Sequence, residues 1–286
     1  MIQLGLIGWP VAHSLSPRLQ NAALGAVGLD GAYNLYPIDP TQSQLLGALL
    51  ERVRTGELIG LNVTIPHKQA VIPFLDDLTP SARAIGAVNT IYMQKDQLLG
   101  HNTDAPGFLA DLYGKFFKPA DEQTPDLAKR ALVLGAGGSA RAIVWALVQA
   151  GWQVTVAARR VEKAVELAES VALTTIAQAP SAALLTSDGL AGILCAGQLI
   201  VNATSVGMSP KIEYSPWPEN LAFPVNGICY DLVYNPRKTL FVKQARAAGL
   251  RAVSGLGMLV EQAALGFEIW TGRSAPRDAM FAAVEA

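Results

Sequence analysis

Cysteine is scarce: Cys195 and Cys229 are the only two in 286 residues. Two thiols cannot build a disulfide framework, and they fit a reducing, cytoplasmic setting. Charge is sparse as well. Only 16% of residues are Asp, Glu, Lys or Arg, and 22 basic against 23 acidic residues leave a formal charge of −1. That balance excludes a nucleic-acid-binding surface spread over the whole protein, leaving at most a local patch. Residues 1–17 lack charge, but they have no basic start and are broken by Gly8, Pro10 and Ser14, so no secretion signal is expected. A long continuous apolar run is missing too. Gly189–Met208 has no charged residue, yet Gly192, Gly197, Gln198, Asn202, Thr204 and Ser205 interrupt it. Crossing a membrane takes a continuous apolar helix of about 20 residues, so this stretch reads as buried core. There is no short-period repeat and no low-complexity tract.

What the chain does have is apolar mass. Hydrophobic residues make up 51%, which excludes disorder and allows a sizeable core. The 26 Gly and 17 Pro predict many tight turns and close backbone approaches. At roughly 150 residues per domain, the length suggests two domains.

Short apolar strands alternate with helices along the chain. Ile2–Gly8 reads as a buried strand; Ser16 can then cap a helix, with Pro17 in its first turn, running to about Gly28. A strand at Gly31–Pro37, a helix around Gln42–Arg54 and a strand at Gly60–Ile65 follow, the last leading through Pro66-His67-Lys68 into a new helix. Such alternation implies an open, largely parallel sheet. Between Asp111 and Arg130, Gly114, Pro119, Pro125 and clustered charge mark a linker or surface loop. A second series follows: strand Ala131–Gly135, helix Ser139–Ala150, strand Gln153–Ala158, helix Val161–Ser170, strands near Leu199–Asn202 and Ile228–Leu232, and a helix over Leu256–Thr271.

The turn Gly135-Ala136-Gly137-Gly138-Ser139-Ala140 spells G-x-G-x-x-A between a strand and a helix. Gly135 makes the tight turn, Gly137 lets a pyrophosphate approach the backbone, and Ala140 lets helix and strand pack closely. The helix start supplies N–H groups and a positive dipole end for the phosphate. A merely structural turn is the alternative. An NAD site usually carries Asp or Glu at the end of the next strand. Here that strand ends in Ala158-Arg159-Arg160, with Lys163 one turn on. Three cations and no carboxylate suit the 2′-phosphate of NADP, the alternative being a solvated basic edge.

Four polar groupings stand out in the first half: Ser14 and Ser16; Asn62, Thr64 and Lys68; Asn89; and Asp104 after Asn102-Thr103. Singly they read as a cap, a solvated lysine and turn formers. Together they read as a site, because ligands of open α/β sheets bind outside the carboxyl ends of strands. Serines and asparagine could hold a polyhydroxylated or carboxylated small molecule, and Lys68 with Asp104 could form an acid–base pair.

Ser14-Leu15-Ser16-Pro17, Asn62-Val63-Thr64-Ile65-Pro66-His67-Lys68, Gly86-Ala87-Val88-Asn89-Thr90 and Asn102-Thr103-Asp104 together resemble successive motifs of the shikimate dehydrogenase family. So do Gly135–Ser139, Asn202-Ala203-Thr204-Ser205-Val206-Gly207-Met208, Tyr230-Asp231-Leu232-Val233-Tyr234-Asn235-Pro236 and Gly255-Leu256-Gly257-Met258-Leu259-Val260-Glu261-Gln262. The resemblance implies NADP-dependent interconversion of shikimate and 3-dehydroshikimate, a step of aromatic amino-acid biosynthesis. It implies a catalytic pair Lys68 and Asp104, and a substrate site of Ser14, Ser16, Thr64, Asn89, Asp104, Tyr234 and Gln262. It assigns the cofactor to Gly135, Ala136, Gly137, Gly138, Ser139, Arg159, Arg160, Lys163, Leu232, Gly255 and Met258, with no metal.

The fold implied is α/β with two domains. A discontinuous substrate domain over residues 1–107 and 258–286 has an open, mostly parallel sheet, and a Rossmann-type NADP-binding domain spans 108–257. The family's frequent Asn-Arg-Thr after the second cofactor strand is Ala158-Arg159-Arg160 here, which keeps the arginine. Serine at both 14 and 16 resembles members that prefer shikimate to quinate. Rival readings are a quinate/shikimate dehydrogenase of relaxed specificity, a nonenzymatic NADP-binding regulator on the same scaffold, and a methyltransferase using the glycine turn. The basic strand end disfavours the last. The expected partners are the small-molecule substrate and the cofactor, with no nucleic acid and no membrane, in a monomer or homodimer.

Overall fold

A computed structural model describes residues 1–117 and 129–285. In one compact unit, strands β1 (Ile2–Gly8), β2 (Gly31–Pro37), β3 (Gly60–Val63), β4 (Asp77–Leu78), β5 (Thr90–Gln94) and β6 (Gln97–His101) form a sheet in the order β2-β1-β3-β5-β6-β4. β1 is parallel to β2 and β3, and β4 to β6; β5 is antiparallel to β3 and β6. Its helices are α1 (Ser16–Ala26), α2 (Gln44–Arg54), α3 (Pro80–Ile85) and the start of α4 (Asp104–Phe116). In α2, Leu46, Leu49, Leu50 and Val53 recur at helical spacing and all four are buried, while Arg52 and Arg54 sit at its negative end. That stripe packs with Ile7, Leu61, Val63 and Ile91. On the opposite face Leu4 and Leu6 join Tyr33 and Trp270, as alternation along β1 requires.

In the second unit, β7 (Arg130–Leu134), β8 (Gln153–Ala158), β9 (Ser181–Leu184), β10 (Leu199–Asn202), β11 (Ile228–Asp231) and β12 (Arg251–Ser254) form a sheet in the order β12-β11-β10-β7-β8-β9. Every pairing is parallel. The chain winds one way from β7 to β9, then returns to β10 on the other side of β7, the doubly wound Rossmann order. Between and after the strands run α5 (Gly138–Gln149), α6 (Val161–Ala172), α7 (Ser187–Ala191), α8 (Leu240–Ala247) and α9 (Leu256–Thr271). Ala131 and Val133 pack with Ile143 and Leu147 of α5 on one face, and Leu132 and Leu134 with Ile200 and Phe241 on the other. A strand buried on both faces has to be apolar throughout. The last helix, α10 (Arg277–Glu285), belongs to the first unit. The two units comprise Met1–Gly107 with Val260–Ala286, and Phe108–Leu259, so the divisions fall inside α4 and α9. No helix among the described residues is long and apolar enough to cross a membrane.

Several expectations need correction. Ser16 does not cap its helix. The helix starts at Ser16, Leu15 is the cap, and the hydroxyl accepting a backbone N–H is Ser14 Oγ, 3.2 Å from Ser16 N. No helix follows Lys68 either. Residues 65–71 form turns that end in a single 3-10 turn at Ile72–Phe74. The Lys68 carbonyl is engaged by the Val88 N–H at 2.7 Å, and Pro73 has no N–H to continue a ladder. The stretch expected as a linker begins inside α4, which runs on through Gly114 because Phe108, Leu112 and Phe116 are all buried. Pro119 and Pro125 lie outside the described residues. The first sheet is open and mostly parallel as expected, three of its five pairings being parallel; β5 pairs antiparallel on both sides, with β6 in a hairpin. Its two turn residues, Lys95 and Asp96, have φ of 48° and 63°, a conformation usually signalled by Asn-Gly.

Candidate active site

The first unit brings its polar groups to one edge of the sheet. Parallel β1 and β3 end together: the Thr64 N–H donates to the Ile7 carbonyl at 2.8 Å, and Trp9 N–H to Ile65 at 2.9 Å. Asn62 of β3 lies opposite Thr90, and Thr90 opposite His101, so β5 begins and β6 ends at that same edge. The Ser14–Ser16 loop, Thr64, Asn89 and Asp104 therefore converge there from four different strands. Ser14 and Thr64 are partly exposed, while Ser16 is buried.

Lys68 Nζ forms an ion pair with Asp104 Oδ2. Both residues are buried, at 7% and 4% exposure, so neither charge is left to bulk water. The other carboxylate oxygen, Asp104 Oδ1, accepts from Asn89 Nδ2 at 2.8 Å, and the same amide lies 3.2 Å from Gln262 Oε1. Asn89 Oδ1 in turn accepts the Thr103 N–H at 2.7 Å. Asn102 aims the carboxylate. Its Oδ1 accepts the N–H groups of Asp104 and Ala105 at 3.1 and 3.3 Å, capping α4, and its Nδ2 donates to the Ala87 carbonyl at 2.9 Å. The role of Asn102 was missed in the sequence; an Asn two residues before an acidic helix start is the signal that could have found it. Asn62 lies beneath the cluster, accepting from Tyr33 Oη at 2.8 Å and donating to the Asn89 carbonyl at 3.0 Å. Among the described residues, no group of three or more His, Cys, Asp or Glu could hold a metal ion.

The second unit carries the glycine turn at the carboxyl end of β7. Gly135 has φ +111°, and a Cβ there would press on Thr204 Cγ2 at 3.0 Å and Ala203 O at 3.1 Å. Gly137 is the N-cap of α5 and offers no side chain; a Cβ there would meet nothing within 4 Å. Open space in front of a helix start is what a pyrophosphate needs. Arg159 and Arg160 are exposed at the end of β8, Arg160 being the N-cap of α6. Lys163 is exposed too, 2.7 Å from Glu166. With no carboxylate at that strand end, these residues fit a dinucleotide bearing a 2′-phosphate.

The remaining positions expected to contact the cofactor follow β11 and β12. Leu232 N–H donates to the Asn202 carbonyl at 2.9 Å, and a Cβ on Gly255 would lie 2.9 Å from Leu232 Cα, so this approach requires glycine. Met258 is buried in the core with Phe108 and Tyr230. Tyr234 is half-buried and belongs to this unit, whereas the Lys68 cluster belongs to the first. Sequence reasoning gave no role to Asp231, whose carboxyl burial pushes up to about 6 against hydrogen bonds from Thr239, Val233 and Asn202.

Three family models match along the chain: the shikimate dehydrogenase substrate binding domain over residues 6–91, shikimate / quinate 5-dehydrogenase over 118–205, and the shikimate 5′-dehydrogenase C-terminal domain over 255–285. Shikimate dehydrogenase (NADP⁺) of Moorella thermoacetica is 43% identical over 274 residues, covering 96% of this chain and 89% of its own. Shikimate 5-dehydrogenase of Thermus thermophilus, solved in complex with NADP(H) and shikimate, superposes with a TM-score of 0.80 at 36% identity, covering 100% of this chain and 99% of its own. Quinate dehydrogenase of Corynebacterium glutamicum, solved with NAD, gives 0.82 at 30% identity over 99% of this chain and 98% of its own. Identity at this level over nearly the full length, on the same two sheets, leaves one conclusion: the chain belongs to the shikimate dehydrogenase family.

Proposed function

We propose that this protein interconverts shikimate and 3-dehydroshikimate with NADP⁺ and NADPH, a step of aromatic amino-acid biosynthesis. The observation that carries the proposal is the buried Lys68–Asp104 pair, braced by Asn89 and Gln262 at the sheet edge where a small polar ligand would sit. Residues 1–107 with the C-terminal segment form the substrate domain in this reading, and the intervening residues the NADP domain.

Ser14, Ser16, Thr64, Asn89 and Gln262 bind the ring hydroxyls and carboxylate of the substrate. Asp104 orients the reacting hydroxyl and holds the Lys68 amine against it. Bound NADP⁺ would supply the acceptor for the hydride of the carbinol carbon. Lys68 manages the proton: its ammonium gives one to the oxygen as the ketone is reduced, and the amine receives it in the reverse direction. Gly135 to Ser139 hold the pyrophosphate on backbone N–H groups, and Arg159 and Arg160 grip the 2′-phosphate, with Lys163 adding charge from the next turn. Leu232, Gly255 and Met258 line the path of the nicotinamide half. The free cysteines Cys195 and Cys229 suit a cytoplasmic enzyme.

The test is direct. Shikimate with NADP⁺ should produce reduced nicotinamide, read by its absorbance, and quinate should give a lower kcat/KM. Comparable turnover of the two acids would mean relaxed specificity. No turnover of either, with NADP⁺ still bound, would leave a regulator.

A further inference from the structure

A buried polar chain links the carboxyl ends of β10 and β11 in the second unit. Asn202 ends β10 and Asp231 ends β11, and both are 0% exposed. Asn202 Nδ2 donates to Asp231 Oδ1 at 2.8 Å. The opposite end of that amide, Asn202 Oδ1, accepts both the N–H and the hydroxyl of Thr204, at 3.0 and 2.7 Å. Asp231 Oδ1 also accepts the Val233 N–H at 3.0 Å, and Asp231 Oδ2 accepts the Thr239 hydroxyl at 2.5 Å. Thr239 is 1% exposed and its side chain caps α8 by accepting from Val242 N. One carboxylate thus fixes two loops: the one after β10 through Asn202, and the one between β11 and α8 at both its ends, through Val233 and Thr239.

These loops matter because of the strand order. β8, with Arg159 and Arg160 at its end, lies on one side of β7; β10 and then β11 lie on the other. A dinucleotide whose pyrophosphate rests on the turn after β7, and whose 2′-phosphate lies over β8, must lay its nicotinamide half over β10 and β11. The loop after β10 also touches the glycine turn itself, since Thr204 Cγ2 and Ala203 O are the nearest atoms to a Cβ on Gly135.

We propose that Asp231 is a positioning residue for the nicotinamide half of NADP(H), holding the loops after β10 and β11 in the binding conformation through Asn202, Val233 and Thr239. The inference rests on the NADP reading above and extends it to a residue that touches no cofactor. A carboxylate taking three donors is the one side chain here that satisfies all of them at once. Truncating it leaves Asn202 and Thr239 buried with an unmet hydrogen bond each, and the loops gain other conformations.

The experiment measures the Kd for NADP⁺ by calorimetry, which needs no turnover, together with KM for NADP⁺ and for shikimate and the melting temperature. Asp231→Ala should weaken NADP⁺ about tenfold or more, the scale expected of an unmet buried polar group, with KM for shikimate within about twofold. Asp231→Asn should recover most of the affinity, because its oxygen still accepts from Asn202 and Val233 while its amide donates to Thr239 Oγ1. Thr239→Val should weaken NADP⁺ in the same direction, and serves if Asp231→Ala does not fold. Unchanged NADP⁺ affinity in folded Asp231→Ala or Thr239→Val, with only a lower melting temperature, overturns the positioning role. Wild-type protein that binds NADP⁺ but does not oxidise shikimate would sink the activity and leave the positioning claim standing; wild-type protein that does not bind NADP⁺ would sink both.

Discussion

Lys68 and Asp104 stand 36 positions apart in the chain, yet their side chains form a buried ion pair whose second carboxylate oxygen is held by Asn89 at 2.8 Å. An amine fixed in this way can exchange a proton with a substrate hydroxyl without reorganising its surroundings. Lys68→Ala should lower kcat by about 10²- to 10⁴-fold, the usual range for removing a general acid–base. Shikimate affinity, measured by titration, should change little, because the proposed function assigns the ring chiefly to Ser14, Ser16, Thr64 and Gln262. Near-normal turnover would reject the role.

The proposed function gives Arg159 the choice of cofactor. Its guanidinium is exposed at the end of β8, where a carboxylate would select NAD. Arg159→Ala should raise KM for NADP⁺ about 10- to 100-fold, the worth of a charge-assisted contact, and leave KM for NAD⁺ almost unchanged. Equal loss of both cofactors in steady-state kinetics would move the phosphate contact elsewhere.

How much of this was legible in the sequence follows from how local each signal is. The glycine turn and the helix stripes Leu46–Val53 and Ala164–Val171 repeat at spacings that backbone geometry imposes, so they could be read without a structure. The β5–β6 hairpin could not, because Lys95 and Asp96 enter left-handed backbone without the Asn-Gly that normally announces it. The false helix after Lys68 arose because the residue types allowed one, while a distant N–H, that of Val88, had already taken the carbonyl it needed. Lys68 and Asp104 were readable as types but not as neighbours, and Asp231 was read only as part of a motif. Its partners Asn202 and Thr239 lie 29 and 8 residues away, on different elements.

Asn102 should prove as necessary as the residues it aims. Asn102→Ala removes the cap of α4 and leaves the buried Ala87 carbonyl without its donor, together about 2–4 kcal/mol of stability. It also frees Asp104, so kcat should fall about 10- to 100-fold, the penalty of a misplaced group. Asn102→Asp, which keeps the capping acceptor but not the donor to Ala87, should fall between. A melting temperature that drops with kcat untouched would show that the cap serves folding alone.

Two carboxylates should give stability opposite dependences on pH. Asp231 is raised to about 6 from an ordinary 3.8, chiefly by burial, so between these values the folded protein keeps a proton that the unfolded chain has lost. Its contribution is therefore complete below 3.8 and is lost as pH rises through about 6. Asp76 is lowered to about 2, first by the hydrogen bond from Arg54 and then by the Leu98 N–H. It supports the fold above 3.8 and stops doing so as pH falls through about 2. Melting temperatures from pH 2 to 8 should separate the two. Asp231→Asn should gain on the wild type as pH climbs from about 4 to 7, since it abolishes the cost of a buried charge. Asp76→Asn should lose most at neutral pH and converge with the wild type in strong acid. If the Asp231→Asn difference stays flat across that range, the carboxyl is not the buried acid described above, and its hold on the loops after β10 and β11 does not depend on charge.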